Sequence, residues 1–157
     1  RHVHPSIIYY EADALRYAPS SKPAVWVSLE TVEHLPNPRA YVARVATVLP
    51  VGGRFIASVP VTVSTDGNPH HLWDFTRHSF RELLSSHGFV EERALEQSHR
   101  FTLGDVFGES RGARQRDRRH GLLRWYVRHP SVLARRVQLT VTKGLVNEYL
   151  TVVAVKK

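Results

Sequence analysis

Glu30, Glu33 and His34 are spaced so that one helical turn would gather all three side chains on a single face. Two carboxylates and an imidazole converging where a strand ends form a donor set suited to Mg²⁺, Mn²⁺ or a similar cation. A second pair of histidines, His70 and His71, lies in a loop that also holds Gly67 and Pro69. With an ordinary pKa of about 6.5, a neutral imidazole accepts a hydroxyl proton at physiological pH, so His71 and His34 are the candidate acid–base groups. The competing reading of His70 and His71 is structural: loop residues whose rings cap the helix that follows. Trp73 and Phe75, just beyond, read as packing side chains rather than a stacking platform.

The elements that must hold these groups follow from the apolar pattern. Ile7 to Tyr10 is a short apolar run ending at Glu11-Ala-Asp-Ala14, read as a strand followed by an acidic loop. After the turn cluster Pro19-Ser-Ser-Lys-Pro23, residues Ala24 to Leu29 form a run of the kind buried on both faces of a parallel sheet. Asn37, set between two prolines, is a good N-cap, and Ala40, Val42, Ala43, Val45, Ala46 and Leu49 recur at helical spacing, predicting a helix over 38–48. Gly52-Gly53 turns the chain into the β-rich run Arg54 to Val59, which Pro60 stops. Thr76 can cap a helix through Ser86 that sets Phe80, Leu83 and Leu84 on one face. Phe89 to Ser98 and Tyr149 to Val155 read as strands, with short helices over 122–127 and 132–139 between them. Strands alternating with helices in this way predict a doubly wound α/β domain.

The stretch Ser28-Leu-Glu-Thr-Val-Glu-His-Leu-Pro-Asn-Pro38, followed by Val48-Leu-Pro-Val-Gly-Gly-Arg-Phe-Ile-Ala-Ser-Val-Pro60, resembles the middle of a class I S-adenosylmethionine-dependent methyltransferase of the type 11/23-like kind. The resemblance spans residues 7–98 and 147–157. It implies a Rossmann-like α/β fold, a mostly parallel twisted sheet with an antiparallel C-terminal strand, incomplete at the N-terminus. Residues 1–157 would be the C-terminal two-thirds of a single domain, because the Gly-x-Gly loop that holds the amino-acid end of the cofactor is not in the sequence. Lacking also any methionine, the chain reads as a piece of a longer reading frame, inactive without the upstream loop.

The same resemblance implies S-adenosylmethionine as cofactor. Asp13 and Ala14 would flank its adenine, Ser28, Leu29 and Glu30 would line it at the strand end, and His34 and His71 would face the methyl acceptor. The E-x-x-E-H pattern is shared with ubiquinone-pathway O-methyltransferases and small-RNA terminal 2′-O-methyltransferases, where the resemblance implies a metal. His71-Leu-Trp-Asp-Phe-Thr76-Arg77 is similar to the small-RNA enzymes' segment whose histidine completes that site, giving Glu30, Glu33, His34 and His71 as ligands for Mg²⁺ or Mn²⁺. Relatives without a known metal share both patterns, including bacterial enzymes acting on sugars and other small molecules. The expected activity is methyl transfer to a hydroxyl of a small molecule or glycan. A metal-dependent RNA 2′-O-methyltransferase and a non-catalytic methyltransferase-like module are the alternatives.

Charge narrows the partners. The formal net charge of +8 is carried by residues 111–136, which hold nine arginines against one acid, Asp117; the remaining lysines and arginines balance the remaining acids. These residues lie in an arginine-rich insertion over 103–146, before the last strand. With Trp125 and Tyr126 interleaved, it could track nucleic-acid phosphates or lie on an anionic membrane; a solvated surface element is the third reading. Cysteine is absent, which excludes disulfides and thiolate-held metals. No apolar run approaches the roughly 18 residues that span a bilayer, and no signal-peptide pattern opens the sequence, so the chain reads as a cytoplasmic enzyme.

Overall fold

The structure is a computed structural model that describes residues 6–100 and 121–157. Among them, strand β1 (Val25–Leu29) leads through a 3-10 turn (Val32–His34) to helix α1 (Pro38–Val48) and strand β2 (Arg54–Pro60). Helix α2 (Arg77–Ser85), strand β3 (Phe89–Arg100), helices α3 (Leu122–Arg128) and α4 (Pro130–Lys143), and strand β4 (Val146–Lys156) follow.

The local causes are legible. Asn37 accepts from the Ala40 amide at 2.9 Å and Pro38 sits in the first turn of α1, where a missing N–H costs nothing. Thr76 and Ser79 cap α2 reciprocally. In the tight turn before β2, Gly52 has a φ of +80°, and a Cβ at Gly53 would stand 2.9 Å from the Pro50 carbonyl oxygen, so both glycines are required for different reasons.

The sheet order is β1-β2-β4-β3, with β1 parallel to β2 and β4 antiparallel to both its neighbours. The described sheet thus holds one parallel pair and the antiparallel ladders of the expected C-terminal strand. Phe55, Ala57 and Val59 of β2 and Leu150, Val152 and Ala154 of β4 form one buried face with Val42, Val45 and Leu49, and with Phe80 and Leu84. Each of the valine, leucine and phenylalanine side chains contributes about 1.5–3 kcal/mol relative to exposure. Trp26 donates to the Tyr41 hydroxyl at 3.0 Å and fastens β1 to α1. An irregularity in β3 leaves Glu92 outside the ladder, where it forms a bidentate pair with Arg54 at 2.8 and 2.9 Å.

Two expectations about strands change. Ile7 to Tyr10 form no strand: the segment pairs with nothing among the described residues and its four side chains are 51–73% exposed. Apolar character alone does not make a strand without a ladder partner. β1 is covered on one face only; Val25, Val27 and Leu29 are 45–56% exposed on the other. The predicted insertion lies partly outside the described residues, which begin again at Gly121. No helix among those described is long and apolar enough to cross a membrane.

Candidate active site

β1 ends at Leu29, and Glu30 turns the chain with a φ of 49°, the one non-glycine residue with positive φ among those described. Its amide donates to the carbonyl and hydroxyl oxygens of Ser58 on β2, and the Ser58 hydroxyl donates to Glu30 Oε1 at 2.7 Å. Burial pushes the Glu30 carboxyl up, against the opposing pull of Ser58 and His34. The 3-10 turn begins only at Val32. Glu30 therefore does not share a helical face with Glu33 and His34, as the spacing predicts, because its left-handed backbone precedes the turn and its carboxyl group is committed to Ser58.

Glu33 points inward and is completely buried, and neither carboxylate oxygen has a hydrogen-bond partner. His34 Nε2 lies 3.9 Å from its Oε1, beyond hydrogen-bond reach. Burial, opposed by its own backbone amide and reinforced by the charge of Glu30, pushes the Glu33 carboxyl up to about 7. The Leu72 amide donates to the Glu33 carbonyl at 2.9 Å, which pins the loop carrying His70 and His71 onto this turn.

The loop brings the two histidines together. The His34 and His71 rings meet edge to face with centroids 4.6 Å apart. His34 Nδ1 lies 3.1 Å from the His70 carbonyl, and His71 Nδ1 lies 2.8 Å from Ser64 Oγ. Burial and the neighbouring His34 push the His71 pKa down to about 4, so its imidazole is neutral at physiological pH. Glu33, His34 and His71 each offer a ligand atom within 4.8 Å of the other two. Of the four predicted metal ligands, this cluster keeps three and leaves out Glu30.

An unpartnered buried carboxyl has a measurable consequence. In the fold Glu33 gives up its proton near pH 7, whereas unfolded it does so near 4.5, so folding takes up a proton between those values and stability declines as pH rises through that window. Glu33→Gln cannot ionise and is expected to be about 3 kcal/mol more stable than the wild type at pH 8 without added cation, with little difference at pH 4. Urea melts at the two pH values test this; a Gln variant weaker than wild type at pH 8 would mean that the carboxylate is already paired.

Along β1, a cavity of about 380 Å³ is lined by Ala14, Ser28 and Leu29 together with Tyr10, Trp26 and Thr31. Ser28 Oγ is buried and has no partner. Asp13 does not line this cavity: its carboxylate accepts from the Leu15 amide at 2.9 Å and sits 3.6 Å from Arg16, closing its own turn. Three of the five predicted cofactor residues thus share one cavity, and Asp13 and Glu30 stand outside it.

Sequence reasoning missed the clamp that seats the arginine-rich segment. Asp66, 2% exposed, accepts from Arg136 through both oxygens at 2.6 Å and from the Tyr126 hydroxyl at 2.6 Å, while Arg136 also donates to the Val63 carbonyl. Burial alone would raise the Asp66 pKa, but Arg136 and Tyr126 hold it below the usual carboxylate range. Burial and Asp66 push the Tyr126 hydroxyl up to about 12. Arg136 is therefore not available to an external anion, whereas Arg124, Arg128 and Arg135 are exposed. Arg111, Arg114, Arg116, Arg118 and Arg119 lie outside the described residues. No local spacing in the sequence signals a pair formed by residues so far apart.

A parallel strand pair whose carboxyl ends carry the site, continued by a C-terminal strand inserted antiparallel between its neighbours, defines the class I S-adenosylmethionine-dependent methyltransferase fold. Solved structures bear this out. A candidate methyltransferase of Bacillus halodurans C-125 superposes with a TM-score of 0.69 at 16% identity, over 98% of this chain and 73% of that one. The O-methyltransferase of a Brevibacillus brevis trans-AT polyketide synthase, in complex with S-adenosyl-L-homocysteine, matches with a TM-score of 0.55 at 13% identity, over 94% of this chain and 48% of that one. The [4+2]-cyclase SpnF matches with a TM-score of 0.53 at 16% identity, over 92% of this chain and 55% of that one. No family model and no curated protein matches the sequence.

Proposed function

We propose that this chain forms the acceptor side of an S-adenosylmethionine-dependent methyltransferase acting on a hydroxyl of a small molecule or glycan. The observation that carries the reading is the edge-to-face pair of His71 and His34 beyond the carboxyl end of β1, next to a cavity lined by Ser28 of the same strand. Fold alone does not settle chemistry, as the cyclase of the same fold shows. The neutral base and the adjacent Ser28-lined cavity favour methyl transfer.

When bound, S-adenosylmethionine would supply an electrophilic methyl group, which the acceptor oxygen would take as an ether with S-adenosylhomocysteine as the leaving product. His71 would take the hydroxyl proton of the acceptor and pass it to solvent. Holding donor and acceptor in register supplies most of the rate, and the base adds to it. Ala14, Ser28 and Leu29, which share one cavity, would line the cofactor.

A cation at this site is the alternative to the base, with His71 then a ligand and not a proton acceptor; it is favoured by the orphaned carboxylate of Glu33. Glu33, His34 and His71 would hold it, and a two-nitrogen, one-oxygen set suits Mn²⁺ or Zn²⁺ better than Mg²⁺. When bound, such an ion lowers the pKa of a coordinated hydroxyl. Arg136 of the basic segment is held by Asp66 and is not free to meet a phosphate, which favours the glycan or small-molecule reading over RNA.

The test is a calorimetric titration of S-adenosylhomocysteine into the protein expressed from its whole reading frame. Micromolar binding, weakened at least tenfold by Ser28→Trp with the fold retained, is expected. A folded protein that binds none would overturn the reading.

A further inference from the structure

Asp74 is held by four donors around one loop. The amides of Ser64 and Thr65 reach its Oδ1 at 2.8 and 3.1 Å, the Thr65 hydroxyl reaches Oδ2 at 2.8 Å, and the Ser64 hydroxyl lies 3.4 Å from Oδ1. The same Ser64 hydroxyl lies 2.8 Å from His71 Nδ1. Ser64 has a single proton to give and two neighbours that could take it. An ionised carboxylate only accepts, so charge directs the Ser64 proton toward Asp74 and leaves a serine lone pair facing the ring. The longer of the two contacts is the weaker link, but it decides the direction of the shorter.

We infer that Asp74 and Ser64 are positioning residues: the chain Asp74 carboxylate, Ser64 hydroxyl, His71 Nδ1–H fixes the His71 tautomer and leaves Nε2 as the free lone pair. A second observation agrees. His34 Nδ1 meets the His70 carbonyl, which can only accept, so that ring also carries its proton on Nδ1. Both rings of the edge-to-face pair therefore hold a proton on Nδ1, so that Nε2 is the lone pair of either ring when it is neutral. A group meant to accept a proton must offer a bare nitrogen, and without Ser64 a neutral imidazole reverts toward the Nε2–H form. This inference rests on the proposed role of His71; the Glu33, His34, His71 cluster needs the same tautomer from its outer hydrogen bonds if it holds a cation.

Long-range nitrogen NMR of the full chain labelled with ¹⁵N-histidine reads this directly, at a pH well above the His71 pKa and in chelator. The wild type is expected to show His71 with a protonated Nδ1 and an unprotonated Nε2. Ser64→Ala is expected to move His71 largely to the Nε2–H form, and Ser64→Thr, which keeps the hydroxyl, to restore the wild-type pattern. A wild-type spectrum with Nε2 protonated, or a Ser64→Ala spectrum unchanged from wild type, would overturn the relay. The wild-type spectrum decides even where Ser64→Ala fails to fold. Because the readout needs no turnover, a failed relay leaves the role of His71 standing, and a catalytically idle His71 in the expected tautomer sinks only that role.

Discussion

His71→Asn is expected to lower methyl transfer by about 10²- to 10⁴-fold, the usual contribution of a positioned general base. Asn keeps a polar side chain near Ser64 and His34 but cannot take a proton. The loss should appear in kcat, with S-adenosylhomocysteine affinity unchanged, because the histidine pair is distinct from the cavity lined by Ala14, Ser28 and Leu29. Release of S-adenosylhomocysteine with a panel of hydroxylated small molecules and glycans would follow it. Equal loss of cofactor affinity would instead mark His71 as part of the cofactor pocket, and an unaffected rate would show that alignment alone carries the reaction.

The second large effect is structural. Asp66→Ala leaves Arg136 and Tyr126 without their shared acceptor, and removing one partner of a buried ion pair costs about 3–5 kcal/mol. Arg136 is one-quarter exposed, which places the expectation near the lower end. Urea denaturation should show it, and limited proteolysis should find α3 and α4 cut before the sheet is. Adding Arg136→Met to Asp66→Ala should recover part of the loss, since no charge is then left unpaired. A cost below about 1 kcal/mol, the size of an exposed pair, would mean that water screens the clamp and other contacts seat these helices.

How much of this was legible in the sequence depended on the range of the interaction. The helix over 38–48 and the cap at Thr76 were readable because their causes, Asn37 and Ser79, lie within one turn. β1 and β2 announced themselves by composition, but the sheet also needs to know what covers each face, and Val27 carries no mark of its exposure. The meeting of His34 with His71 came from resemblance, not spacing. The three-residue cluster could not be separated from Glu30 without the backbone, because a helical count assumes helical φ at every step and Glu30 departs from it. Asp74 stood in a quoted segment with no stated task, and its task appears only when the loop folds Ser64 back upon it.

The position of β4 has a consequence for the birth of the molecule. This strand follows β2 and β3 in sequence, yet it lies between them, supplying Val152 to Ala57 on one side and to Ala94 on the other. A ribosome therefore releases β2 and β3 as strands that do not pair with one another, separated by a gap that only the later strand β4 can fill. Until then Phe55 and Phe89, later packed 5.4 Å apart, belong to two unjoined halves. Folding of this sheet waits until β4 has emerged, and during that interval the nascent chain presents bare strand edges to whatever chaperone meets it first.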